Sequence, residues 1–323
     1  MWVVGAAVAV LGACDKGDGS SSAGTGHVKA AGGDELALFR DLPKGNSALF
    51  GGNLIKMQKQ FADSPLGKLA AQVNKMTPGM DEWQTCFING PGLRMVGGVT
   101  YAAGAVEAHY AMTGLDIASL EACAKKASFP AIVDADRKFI TIDTNTQTGI
   151  VKSGFLVLPD GALLSRMEIP LGGFRTGAVV VNATDRASLE REVAALASGT
   201  AADDTALMAA VDKVDRSKAL WVVGSGAGTP IADKLGLASA TFEMTDGFTI
   251  DVTAELTDSA LADQLDKGLA GAKKQAGQLG PEIGEIVNNV SFDRSGSKVH
   301  LTAKISNAQL MTLSEKLGPL MKH

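Results

Sequence analysis

The chain runs twice through one order of elements, strand, helix, hairpin, helix and then returning strands, and this repeat constrains the fold more than any single motif. In the first pass, 48–50 reads as a buried strand and 54–76 as a helix; after an insertion, strands at 93–101 and 106–112 precede a helix over 116–128. In the second, a strand at 219–223 leads to a short helix over 229–235. Strands at 240–244 and 248–256 then flank Asp246-Gly247, and Thr257-Asp258 opens a helix to about 277. Both passes return to strands, at 138–143, 150–158 and 162–169 and at 290–292 and 298–305, and close on helices at 185–197 and 307–321. Hairpins alternating with separate helices imply an α+β fold of two loosely repeated modules, 35–212 and 213–323. Each would be a mostly antiparallel sheet with helices packed on one face.

Local chemistry agrees with that order. Residues 248–256 (FTIDVTAEL) alternate apolar and polar side chains, as a strand with one wet face should. Asp246-Gly247 and Pro159-Asp160-Gly161 suit tight turns because Gly accepts positive φ. Asp116, Thr184 or Asp185, Thr257 and Asn307 sit where a side-chain oxygen can accept from the free amides of a helix's first turn. Leu261, Leu265 and Leu269 recur every four residues and give the helix near 257–277 one face to lay on a sheet. The helix over 54–76 carries Leu54, Met57, Phe61, Leu69 and Val73 among Lys56, Lys59 and Lys68. That pattern reads as core packing, with a helix lying on a membrane surface as the other reading.

Ahead of the modules lies an address. Residues 2–11 are apolar or small, about half of the ~20 that a helix needs to cross a bilayer, and they end in Leu11-Gly12-Ala13-Cys14. Small residues before a cleavage point followed by Cys resemble the lipobox of bacterial lipoproteins. The resemblance implies that 1–13 is a signal peptide, that the Cys14 thiol receives a diacylglycerol, and that Cys14 becomes an acylated N-terminus. One acyl chain binds a membrane only marginally, whereas two or three attach it effectively for good. The family's signals usually open with Lys or Arg, which this one lacks, and whether Met1 or a residue upstream of it is the true start stays open. Residues 14–34, rich in Gly and Ser, then form a flexible tether with a reach of roughly 25 Å. Asp15 resembles the inner-membrane retention signal of enteric bacteria, and both membranes stay open.

With Cys14 assigned to lipid, Cys86 and Cys123 remain, and an oxidising compartment predicts that they pair. A loop of that length is worth about 4 kcal/mol on the chain-entropy model. His27, His109, His300 and His323 show no metal-ligand spacing, so no metal is expected. With 46% apolar residues, 20% charged and a net charge of −5, the chain lacks the basic excess of a nucleic-acid binder. No GxSxG elbow supports a catalytic triad. Asp203-Asp204 and Asp81-Glu82 read as helix caps or solvated turns.

The strongest ligand motif is Gly224, Gly226 and Gly228 between a strand and a helix, a loop that could offer amides to a phosphate. Thr229 stands where the third Gly of GxGxxG belongs, and a hairpin follows where a dinucleotide fold needs a parallel strand. A structural turn is therefore expected, and no cofactor. The sequence reads as a membrane-anchored envelope lipoprotein with a non-catalytic binding or structural role, its partner an envelope protein, a lipid or a cell-wall ligand in the groove between modules. The alternative is a tethered hydrolase or nucleotide-dependent enzyme whose site assembles only in three dimensions.

Overall fold

A computed structural model describes residues 35–64, 79, 82–83, 85–86, 93–102, 105–146, 149–170, 185–227, 233–245, 247–276 and 281–317. Cys14, the signal and tether segments, His27, His323, Gly228 and the continuation of the helix beyond Ser64 lie outside them. Seven strands come from the first pass: β1 (Ala48–Gly52), β2 (Arg94–Ala102), β3 (Ala105–Thr113), β4 (Ala131–Val133), β5 (Phe139–Thr146), β6 (Gly149–Val157) and β7 (Leu163–Pro170). Five come from the second: β8 (Leu220–Gly224), β9 (Leu235–Glu243), β10 (Phe248–Leu256), β11 (Val290–Ser295) and β12 (Lys298–Ile305). All twelve belong to one sheet in the order β11-β12-β10-β9-β8-β1-β2-β3-β7-β6-β5-β4, and the pairings are antiparallel.

The fold is α+β, and the repeat is visible in the strand order. Outward from the centre, β1-β2-β3-β7-β6 in one half answers β8-β9-β10-β12-β11 in the other, with β5 and β4 extending the first. The halves join edge to edge through β1 and β8, from Ala48↔Gly224 to Gly52↔Leu220, and not across a groove. The described helices are α1 (Leu54–Asp63), α2 (Ile117–Lys126), α3 (Arg186–Ala195), α4 (Thr205–Val211), α5 (Ser259–Ala276), α6 (Pro281–Asn288) and α7 (Asn307–Leu317), with a 3-10 helix at Glu35–Asp41.

Strand alternation sends side chains to two faces. On the back face, α2 buries Ile117, Leu120 and Ala124 against Met112, Ile140, Ile142, Phe155 and Leu163. In the second half, α5 lays Ala262 against Ala238, Ala254 and Val299 on the same face. The helices following the two central hairpins thus share one face, as the repeat requires. Met57 of α1 reaches across to Leu220, Ala240 and Phe242, and Lys56 and Gln60 bind Glu243 of β9, strapping the halves together.

The front face differs between halves. Leu49, Val96, Ala111, Leu156, Leu164, Trp221 and Val223 are covered by Leu38, Phe39 and Leu42 at the 3-10 helix, Leu189 of α3, and Leu207 and Val211 of α4. Over the second half the same face carries Thr241, Asp251, Thr253, His300 and Thr302, all at least partly exposed.

Several expectations need correction. Of the helix expected over 229–235, residues 229–232 lie outside the described residues, and the rest is a turn at Asp233–Lys234 and the start of β9. Thr257 does not cap α5: its hydroxyl donates to the Asp233 carbonyl, and Asp258 accepts from Ala260 N instead. The cap of α7 is Ser306 and not Asn307. Its Oγ accepts from Gln309 N at 3.2 Å while Gln309 Oε1 accepts Ser306 N at 2.9 Å, a reciprocal box. On α5 the buried positions are Ala262, Asp266 and Ala276, the first two one residue round from the half-buried Leu261 and Leu265, with Leu269 half-buried as well. Arg294 of β11 pairs with Asp263 and lies 4.0 Å from Asp266, which ties this side of the helix to the sheet edge.

Asp116 and Asp185 do cap α2 and α3, accepting from Ser119 N and Ser188 N. Asp204 caps α4, and Asp203 closes a capping box with Thr200. Gly247 holds φ +100°, and a Cβ there would stand 2.1 Å from the Ile305 carbonyl oxygen, so the β9–β10 turn requires glycine.

Candidate functional site

The two described histidines fall on the front face, one in each half, and each meets a carboxylate. His109 of β3 is 5% exposed beneath α3, with Nδ1 3.0 Å from Glu192 Oε2. Arg166 of β7, directly opposite in register, donates to Glu107 at 2.7 Å and lies 3.5 Å from Glu192. Glu107 Oε2 is 3.9 Å from His109 Nε2, which closes a four-member network. Its order follows from the sequence: 107 and 109 point to one face of β3, and the cap at Asp185 brings Glu192 over them. His109 is buried under α3, with Glu192 of that helix 12% exposed, while Arg166 and Glu107 keep 24% and 26% of their side chains exposed at its edge. The network's chemistry is docking, since a buried pair tolerates the loss of neither partner.

His300 of β12 lies 2.9 Å from Asp251 of β10, and Thr302 donates to the same carboxylate at 3.1 Å. The side chains of His300 and Asp251 are 43% and 45% exposed. This cluster stands on an open sheet surface, where an imidazole-carboxylate pair has water on every side but one. Neither histidine reaches the other, and among the described residues no group of three or more His, Cys, Asp or Glu is placed to hold a metal ion.

An open depression of about 320 Å³ lies elsewhere, lined by Glu285 and Asn289 at the end of α6, Lys304 near the end of β12, Ser306 after it, and Gln309 of α7. Nothing in the sequence pointed to it. Its parts meet only because the α6–β11 and β12–α7 junctions are adjacent at one end of the sheet.

The glycine-rich stretch behaves as a strand end. Gly224 closes β8, paired with Ala48 and Ala238, and Gly226 turns with φ +68° against the Leu235 side chain. The strand that follows, β9, runs antiparallel to β8, so the loop lacks the crossover of a dinucleotide-binding unit.

Cys86 and Cys123 are disulfide-bonded, with Cα atoms 5.7 Å apart. Beside them the rings of Trp83 and Phe129 approach to 5.9 Å, fixing the 82–86 segment against α2.

On the covered face, burial pushes the Asp41 carboxyl up to about 6, with Asp160 nearby adding to the effect. Burial likewise raises Glu35, against the hydrogen bond donated by Trp221 Nε1 at 3.2 Å.

No family model and no curated protein matches this chain. Among solved structures it is similar to crystal form I of TP0453, at 7% identity and a TM-score of 0.41, covering 89% of this chain and 98% of that one. Crystal form III of TP0453 gives 6% identity and the same TM-score of 0.41, covering 86% and 98%.

Proposed function

We propose that the protein is a lipid-anchored component of a bacterial cell envelope whose folded body binds or scaffolds and does not catalyse. The observation that carries this reading is the order of its N-terminal sequence: a short apolar segment, Leu11-Gly12-Ala13-Cys14, then a Gly/Ser-rich spacer before the first core residues. The Cys86–Cys123 bond supports it, because structural disulfides persist in oxidising compartments. The placement of the histidines supports the non-catalytic half: His109 is sealed under α3, and His300 stands on an open surface. Membrane contact runs through acyl chains on Cys14, with an envelope protein, a lipid or a cell-wall component as the ligand class.

Expression with a labelled fatty acid, followed by membrane fractionation, tests the anchor. The parent chain should carry label and sediment with membranes, and Cys14→Ser should lose the label and move to the soluble fraction. An exported Cys14→Ser protein that stays membrane-bound would remove the basis for the reading.

A further inference from the structure

The two edges of the sheet carry different side chains. At one end β11 bears Asp293 and Arg294, charges of the kind that discourage pairing with another chain. At the other end β4 reads Ala131-Ile132-Val133 and bears no charge. Ile132 is 71% exposed; it and Met311 are the large apolar side chains left open among the described residues.

The backbone of β4 has a defined phase. Asp143 N donates to the Pro130 carbonyl at 2.9 Å and Asp134 N to the Phe139 carbonyl at 3.0 Å, so 130, 132 and 134 turn their polar backbone groups toward β5. Ala131 and Val133, between them, each turn an amide and a carbonyl away from the sheet, where no described residue meets them. Their side chains pack on the back-face core with α2, which leaves Ile132 on the front.

Those outward groups have a symmetric solution. An antiparallel strand centred opposite Ile132 sets Ala131 against Val133 and Val133 against Ala131, satisfies every outward amide and carbonyl of the pair, and covers Ile132 with the same residue of a second β4. Charge favours the same occupant. Beyond one end of β4 lie Asp134 and Asp136, which with Glu190 outnumber the Arg186 they share. Before the other end, α2 closes on Lys125 and Lys126, both exposed and without an ion pair among the described residues. Antiparallel pairing about a two-fold axis brings the acidic end of each copy to the basic end of the other.

We infer that the protein pairs with a second copy of itself through β4, joining two sheets into one across a two-fold axis at Ile132. The pairing goes beyond the reading above and needs no lipid, so its outcome is separate from that of the Cys14 labelling.

The full-length protein, purified in a sugar-based detergent, is followed by sedimentation over a range of concentrations and by cross-linking under a mild oxidant. At the axis the two residues would form a non-hydrogen-bonded pair with Cα atoms about 4.5 Å apart, within reach of a disulfide. Ile132→Cys should therefore link into dimers roughly tenfold faster or more than Ser295→Cys, an exposed position on the far edge. Ile132→Lys sets two ammoniums face to face and should weaken association roughly tenfold or more without moving the melting curve, since the side chain is exposed in the single chain. Mixing that variant with Ile132→Glu should restore association. Linking of Ile132→Cys no faster than of Ser295→Cys, or parent-like association of Ile132→Lys, overturns the inference. A parent chain that stays monomeric at every concentration overturns it too, and leaves the open edge to a strand of another protein.

Discussion

His109–Glu192 and His300–Asp251 are nearly the same contact, 3.0 and 2.9 Å on the same face of one sheet, in settings that give them different meanings. The first lies beneath α3 with Arg166 and Glu107 completing the charge balance; the second is close to half exposed, beside a threonine. The difference is not in the pair but in what covers it. The first half has hydrophobic cores on both faces of its sheet, and the front core reaches Trp221 and Val223 of β8, whereas further out the second half leaves its front face to Thr, Asp and His. A histidine near a carboxylate is therefore a docking element in one half and part of a wetted surface in the other.

The largest expected effect tests whether the halves are one body. Trp221 belongs to β8 yet is fully buried in the front core with Phe39 and Leu49, so Trp221→Ala should cost about 3–5 kcal/mol. The cost should appear as one melting transition moving as a unit. Two separated transitions by calorimetry would show that the β1–β8 joint does not couple the halves.

Next in size is the contrast between the pairs. Glu192→Ala leaves His109 and Arg166 facing a cavity and should cost about 3 kcal/mol in denaturant unfolding. Asp251→Ala should cost less than about 1 kcal/mol, because an exposed pair is weak and screened by salt. Equal costs would erase the distinction between the two settings.

The smallest effect concerns Asp41, at the end of the 3-10 helix that closes the covered face. Its folded pKa of about 6 lies above the ordinary 3.8, so the folded chain holds the proton more tightly than the unfolded one. That contribution is complete below about pH 4 and is lost as pH rises through 6. Asp41→Asn should therefore melt higher than the parent at pH 7.5, with the gain vanishing by pH 4 in a pH series of melting curves. A constant offset across the series would mean that titration of Asp41 is not its source.

Local order was legible where one stretch of chain carries its own instruction. The alternation of 248–256 became β10, Asp116 and Asp185 became caps, and the turns at Gly161 and Gly247 formed as their composition implied. The repeated order of elements carried over into the strand order. What could not be read depends on partners far along the chain. The leucine stripe of α5 is half-buried while Ala262 and Asp266 beside it are buried, and Arg294, which pairs with this side, lies on a later strand. The covered front face was invisible because the 3-10 helix at 35–41 is too short for a periodic signal and α4 spans seven residues. Gln309 was invisible for a further reason: its place in the cap of α7 comes from a reciprocal pair of bonds with Ser306 that composition alone does not show.

The sheet's length has a consequence for a tethered body. At the ordinary twist of about 20° between neighbouring strands, the eleven steps from β11 to β4 add up to roughly 220°. At that twist the front of one end would look out in a direction well over a right angle from the front of the other. With that ordinary twist, a flat surface would meet such a sheet at one end or at its middle and not along one whole face.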